Sequence, residues 1–248
     1  MNFKILFILL SFISVGYGGY VYRQNSLEEE RVQVMEFVRQ SVSDRITQEG
    51  QFPREVFFKD QSVSLSYTLN PDFQKGLEEI LKRYPNEGCA IVVLDNESGK
   101  ILALGGIDRE EREVGFALPF SSTHPSASLF KIITTADLLK DEKMEPESQV
   151  SYSGRSTTLY KYQLKNKINR WTRWVTLKRA FAQSNNVVFG KAAIEKTSAR
   201  SIFQRAYAFG FNRQLMKDFN LGPSRFLFPE TQYELAEVAS GFNKETLI

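Results

Sequence analysis

Hydrophobic and polar positions divide the 248-residue chain into stretches of different character. From Ile5 to Tyr22 no residue is charged, and Lys4 and Arg23 bracket the run. That length is about the minimum for a membrane-spanning helix. "SLEEERVQVMEFVRQSVSDRI", residues 26–46, follows with Met35, Val38, Val42 and Ile46 on one helical face. Ser26 and Glu29 make the S-x-x-E pattern of a capping box, so a stalk or packing helix is expected to start there. "TQEGQFPRE", residues 47–55, has the turn residues of a linker. "VSLSYTL", residues 63–69, alternates like a strand, and "PDFQKGLEEILKRY" predicts a helix with Pro71 in its first turn. "CAIVVLD" and "KILALGG" are β-rich runs joined by "NESG", the pattern of a hairpin. "DREERE", residues 108–113, is expected to be a solvated loop.

The second half is mainly helical in pattern. "ASLFKIITTADLLK", residues 127–140, is apolar on most faces, as expected of a helix running through a core. "TLKRAFAQ" and "NVVFGKAAIEK" predict two helices interrupted at "SNN", residues 184–186. "SARSIFQRAYAFGF" predicts a helix ending near Gly210, and "TQYELAEVASGF" a last one ending near Gly241. No internal repeat is present. The outline is a membrane anchor or signal segment at 1–23, a stalk helix and linker at 24–61, and one mixed α/β (α+β) domain over 62–248.

Composition narrows the chemistry. With 42% hydrophobic and 25% charged residues the chain is globular in type, and a net charge of +3 with no Lys/Arg block of nucleic-acid type makes nucleic acid an unexpected partner. Cys89 is the single cysteine; it excludes an intramolecular disulfide or thiolate zinc site and reads as a buried, inert strand thiol in "CAIVVL". His124 is the single histidine, so clustered-histidine metal sites are excluded and any serine–histidine mechanism would have to use it. No cofactor is called for, and serine–lysine chemistry stays open. The positive amino terminus and Lys4, set against the downstream "LEEE", orient the first segment with its N-terminus inside. The expectation is an anchor in the cytoplasmic (inner) membrane with the domain on the extracytoplasmic side. A signal peptide cleaved near Gly16 or Gly18 is the competing reading.

Two short stretches carry candidate chemistry. Ser128 and Lys131 in "SASLFKI" are three residues apart, so in a helix they share a face, with Ser128 in the positively polarised first turn. Phe130, Ile132 and Ile133 imply an apolar setting that would lower the lysine pKa and let a neutral amine take the serine proton. The same spacing also fits a core helix whose lysine snorkels outward. In "SNN" Ser184 and Asn186 can relay a proton and hold a substrate amide, or serve only as a turn and a helix cap. His124 reads as a loop or cleft-mouth residue, and Trp171 and Trp174 as a site wall or as core or rim packing.

The chain resembles the penicillin-binding protein transpeptidases, which share a fold with the serine β-lactamases and carry S-x-x-K, S-x-N and K-T-G motifs. "VSLSYTLNPDFQKGLEEIL" is similar to the family's opening strand and helix, with Asn70 where an aspartate is common. "GCAIVVLDNESGKILALGG" is similar to its first hairpin. "PSASLFKI" resembles its nucleophile helix, with Ala127 in place of the usual glycine, a variation shared by class D β-lactamases. "VTLKRAFAQSNNVVFGKAA" resembles the second-motif segment, and "ELAEVASGF" the helix before the C-terminal strands. The resemblance implies a β-lactamase/transpeptidase-like fold, with helices packed on an antiparallel sheet. It implies that Ser128 is the acylated nucleophile, Lys131 its base, Ser184 a proton-transfer partner and Asn186 a substrate-binding residue. The implied partners are D-Ala-D-Ala stem peptides of peptidoglycan, β-lactams and cell-wall synthesis proteins. No K-T-G is present; "EKTS", with Lys196, Thr197 and Ser198, reads as a helix end. The expectation is therefore a D,D-transpeptidase domain truncated before its third motif, without the C-terminal part of its sheet. A class D-like β-lactamase, against which Asn186 argues, and a non-catalytic scaffold in a cell-wall complex are the alternatives.

Overall fold

The computed structural model describes the backbone of residues 3–83, 88–108, 113–216 and 219–248, and the side chains of these except 3–22 and 25. The chain forms two compact units, one of residues 1–120 with 216–220, the other of 121–215 with 221–248.

The first unit begins with one continuous helix, α1 (Phe3–Glu49). Ser26 is therefore not a helix start: the amides it was expected to cap lie inside the helix, where carbonyls one turn earlier take them. Val38, Val42 and Ile46 are buried as their spacing predicts, whereas Met35 is 49% exposed. The side chains expected to form the anchor, up to residue 22, lie outside those described; among the described residues no helix is long and apolar enough to cross a membrane. The expected strand at 63–69 is displaced. β1 (Glu55–Phe58) and β2 (Gln61–Ser64) form a tight antiparallel pair, and 65–70 is not strand. Period-two alternation alone does not fix where a strand begins, and "EVFF" in the expected linker supplied the partner.

Helix α2 (Pro71–Arg83) starts at Pro71 because Asn70 Oδ1 accepts from the amides of Asp72 (2.9 Å) and Phe73 (3.2 Å). β3 (Gly88–Leu94), β4 (Ile101–Asp108) and β5 (Val114–Gly115) make an antiparallel sheet, with β3 and β4 the expected hairpin. Leu77 and Leu81 of α2 pack on Ala103 and Ile107 of β4, with Cys89, Ile91 and Val93 alongside. Cys89 is thus half-buried, not fully buried as expected, because the β3 face it occupies is only partly covered. Gln74 ties the layers together: its Nε2 donates to Leu104 O (3.0 Å) and its Oε1 accepts from Leu104 N (3.1 Å). Of the expected loop at 108–113, residues 109–112 lie outside those described.

The second unit is built on helices. A 3₁₀ turn (Ala127–Leu129) runs into α3 (Phe130–Leu139), and β6 (Gln149–Tyr152) pairs antiparallel with β7 (Arg173–Thr176). Then come α4 (Leu177–Ala182), α5 (Asn186–Lys196), α6 (Ala199–Ala208) and α7 (Gln232–Ser240). Phe130 and Ile133 of α3 pack with Ile202 and Ala206 of α6 and Leu235 and Val238 of α7. α3 is not buried all round as its sequence suggests: Ile132 and Leu139 are 47% and 41% exposed. Its buried side also holds Asp137, whose carboxylate takes hydrogen bonds from Thr197, Ser201 (2.7 Å) and Lys143 (3.0 Å), with Arg205 3.7 Å away. The fold class is mixed α+β, helices with antiparallel sheets, as expected. "EKTS" is a helix end: α5 stops at Lys196 and Thr197 is its C-cap.

Candidate active site

Ser128 lies in the 3₁₀ turn two residues before α3, exposed to solvent, and Lys131 lies in the first turn of the helix with 1% exposure. The residue preceding the serine, Ala127, has φ 45°, a left-handed conformation that a side chain adopts at a cost of about 1–2 kcal/mol. Such strain persists where the surrounding structure enforces it. The i, i+3 spacing puts Lys131 Nζ 2.8 Å from Ser128 Oγ.

Lys131 does not snorkel. Its other two contacts are Asn186 Oδ1 at 2.8 Å and the backbone carbonyl of Ser240 at 2.6 Å, and the Phe189 ring centroid is 5.8 Å away. These acceptors are neutral, so among the described residues no carboxylate offsets the cost of burying an ammonium, and desolvation pulls the Lys131 pKa down to about 8. At pH 7 about 9% of such a lysine is neutral, against about 0.03% of an ordinary one. With two N–H groups held by Asn186 and Ser240, the lone pair of the neutral amine falls toward Ser128. The arrangement can take a proton from the serine and return it.

The break between α4 and α5 supplies the other half. Ser184 takes a left-handed φ of 52°, Asn185 Oδ1 caps α5 by accepting from Val188 N (3.1 Å), and Asn186 opens the helix. Ser184 Oγ donates to Ser128 Oγ at 2.9 Å. Asn186 is fixed on both sides, its N–H donating to Ser156 O (2.8 Å) and its Nδ2 to Thr157 O (3.0 Å). Ser128, Lys131, Ser184 and Asn186 therefore form one connected network although 58 residues separate its ends in sequence.

Two members of the network were not foreseen. The Ser240 carbonyl is one of the last in α7, left without an intrahelical partner and taken by Lys131. Gly241 ends α7 with φ 67°, and a Cβ there would overlap the Ala127 carbonyl and sit 2.9 Å from Ser128 N. The available signal was the "SG" at the end of a helix pattern, which shows a C-cap but not what packs against it. Trp171 and Trp174 are 67% and 58% exposed, so the core reading of them is wrong, and His124 sits in a loop with its main chain paired to Ile248.

The sequence profile of the penicillin binding protein transpeptidase domain matches residues 89–242, a span holding both motifs. The chain belongs to the penicillin-binding protein transpeptidase family. Solved structures agree on the fold. Penicillin-binding protein A from Mycobacterium tuberculosis matches with a TM-score of 0.55 and 21% identity over 73% of this chain and 47% of that one. The same protein as a penicillin G acyl-enzyme complex gives 0.56 and 21% over 73% and 48%. The D,D-transpeptidase domain of a peptidoglycan glycosyltransferase from Eggerthella lenta gives 0.51 and 24% over 69% and 45%. The chain thus spans about half the length of the structures it matches. No curated protein matches it significantly.

Proposed function

We propose that this penicillin-binding transpeptidase chain forms a serine acyl-enzyme at Ser128, with the D-Ala-D-Ala end of a peptidoglycan stem peptide or with a β-lactam. One observation carries the reading: a buried lysine whose hydrogen-bond partners, among the described residues, are Ser128 Oγ, Asn186 Oδ1 and a backbone carbonyl. Neutral Lys131 removes the Ser128 proton as Oγ attacks the carbonyl carbon of the penultimate D-Ala. The C–N bond to the terminal D-Ala then breaks, and the amine leaves with a proton passed from Lys131 through Ser184. An acceptor amine attacks the resulting ester, the again neutral Lys131 takes the proton that this amine loses, and Ser128 Oγ departs carrying that proton. Asn186 holds Lys131 in register and offers its remaining amide valence to the substrate backbone. The apolar run from Ile5 to Tyr22 supports placing this chemistry outside the cytoplasmic membrane, with cell-wall synthesis proteins as partners. Fluorescent penicillin should label the chain covalently, and Ser128→Ala should abolish the label. A folded wild-type chain that stays unlabelled would sink the proposal.

A further inference from the structure

The chain's modest net charge hides a local asymmetry. Residues 148–194 contain nine lysines and arginines and no aspartate or glutamate. The other 201 residues carry 23 basic and 29 acidic side chains, so the overall +3 is the sum of +9 and −6. Eight of the nine cations are exposed: Arg155, Lys161, Lys165, Lys167, Arg170, Arg173, Lys178 and Arg179. Among the described residues only Lys178 has a carboxylate within salt-bridge distance, the exposed Glu147 at 3.9 Å. Glu237 lies in the field of Lys161, and Glu195 is engaged by Asn166 (2.7 Å). Charge of this density without counter-charge is destabilising by itself and is the footprint of a polyanionic partner.

Aromatic rings lie among the cations. Tyr160 and Tyr162 stack in parallel (centroids 5.6 Å, 11°) and are 52% and 64% exposed, forming a flat platform. Arg170 stacks 4.8 Å from the exposed Trp171 ring, and both line a surface concavity with Arg173 and Gly154. The loop is not loose. Buried Gln163 donates to Ser153 O (3.0 Å) and Arg155 O (3.2 Å) and accepts from Thr158 Oγ1 (3.1 Å) and Tyr160 N (2.9 Å). The same loop receives both Asn186 hydrogen bonds, at Ser156 and Thr157, so it is continuous with the serine–lysine site.

We infer that residues 155–179 form an extended subsite for a carboxylate-bearing glycan polymer, uncross-linked peptidoglycan, held beside Ser128. This rests on the acyl-transfer reading of that site. The cations meet the free carboxylates of neighbouring stem peptides, and the tyrosine and tryptophan faces meet the sugar rings. A lipid surface is the competing occupant. It is disfavoured because six of the eight cations sit on a pinned loop and strand β7, and only Lys178 and Arg179 on the six-residue helix α4, too short to be the amphipathic helix that lies in a membrane interface.

The test is co-sedimentation of the full chain, in neutral-detergent micelles, with insoluble peptidoglycan sacculi. Binding should weaken at least tenfold between 50 and 500 mM NaCl, since the contacts are solvent-exposed. It should fall similarly when sacculus carboxylates are converted to amides, and in the Arg170→Glu/Arg173→Glu and Lys165→Glu/Lys167→Glu variants. If a variant fails to fold, the amidated sacculi still decide the matter with wild-type protein. Equal binding to amidated sacculi, or salt-independent binding, overturns the inference. Release from sacculi by micelles doped with phosphatidylglycerol overturns it in favour of a lipid surface. Penicillin labelling of the wild type separates the two proposals: an unlabelled chain that still pellets refutes the acyl-enzyme, and a labelled chain that does not pellet refutes the subsite.

Discussion

Lys131 offers a quantitative test, because its burial sets both a rate and a stability. If the neutral amine is the base, the second-order rate of penicillin acylation should follow the neutral fraction. With a pKa of about 8, that fraction is about 1% at pH 6, about 9% at pH 7 and about half at pH 8. The rate, read by stopped labelling with fluorescent penicillin, should climb about 50-fold from pH 6 to 8 and gain at most about twofold above that. Lys131→Gln should lower the rate by about 10²–10⁴ and flatten the profile. A rate independent of pH across 6–9, or a rise that survives in Lys131→Gln, would show that some other group titrates.

The same shift fixes the sign of a stability change. The folded pKa lies below the unfolded value of 10.5, so between pH 8 and 10.5 the unfolded chain binds more protons. Stability therefore rises with pH across that window, by up to about 3 kcal/mol at 1.36 kcal/mol per pKa unit. Urea titrations at pH 7.5 and 10 should show the increase in the wild type and lose it in Lys131→Met. A wild-type midpoint that falls over the same range, once corrected by the variant, would contradict the burial argument.

Three further changes test neighbouring parts of the network. Asn186→Asp puts a carboxylate against Lys131 Nζ, favours the ammonium, and should move the acylation midpoint from about 8 toward the ordinary lysine range; an unmoved midpoint would mean that Asn186 does not face the titrating group. Gly241→Ala cannot be accommodated without displacing the Ala127–Ser128 backbone, so labelling should be lost even where circular dichroism shows retained helices. Asp137→Ala leaves Lys143 beside an emptied buried site and should cost about 3–5 kcal/mol in urea denaturation, with the pH midpoint of acylation unchanged.

Much of the fold was legible because its signals are local. α2 is announced by Pro71, the β3–β4 hairpin by two β-rich runs around a turn, and α7 by the glycine at its end, Gly241. Errors fell where the deciding interaction is remote or the local signal is degenerate. Ser26 has a valid cap signature, yet a helix that continues through it needs no cap. The strand expected at 63–69 forms only where "EVFF" pairs with it. The uniform hydrophobicity of α3 could not say which face packs on α6 and α7 and which leaves Ile132 exposed.

The site was legible to the extent that its chemistry is carried by side chains at fixed spacing. Ser128 and Lys131 meet because both lie within one turn, and a serine and an asparagine at a helix break announce polar groups at a junction. The Ser240 carbonyl is invisible in sequence, because any residue supplies one and only the fold brings it to Lys131. The acid-free stretch failed for another reason. A net charge of +3 sums a +9 segment with a −6 remainder, and apart from the adjacent Lys178 and Arg179 the cations lie two or more residues apart, so no compact Lys/Arg block forms. Folding then ties that segment to the site through the Asn186 contacts with Ser156 and Thr157. Charge becomes informative about a partner once it is counted over the surface that a loop presents, since a partner senses the local field within about one Debye length, roughly 8–10 Å, and not the sum over the chain.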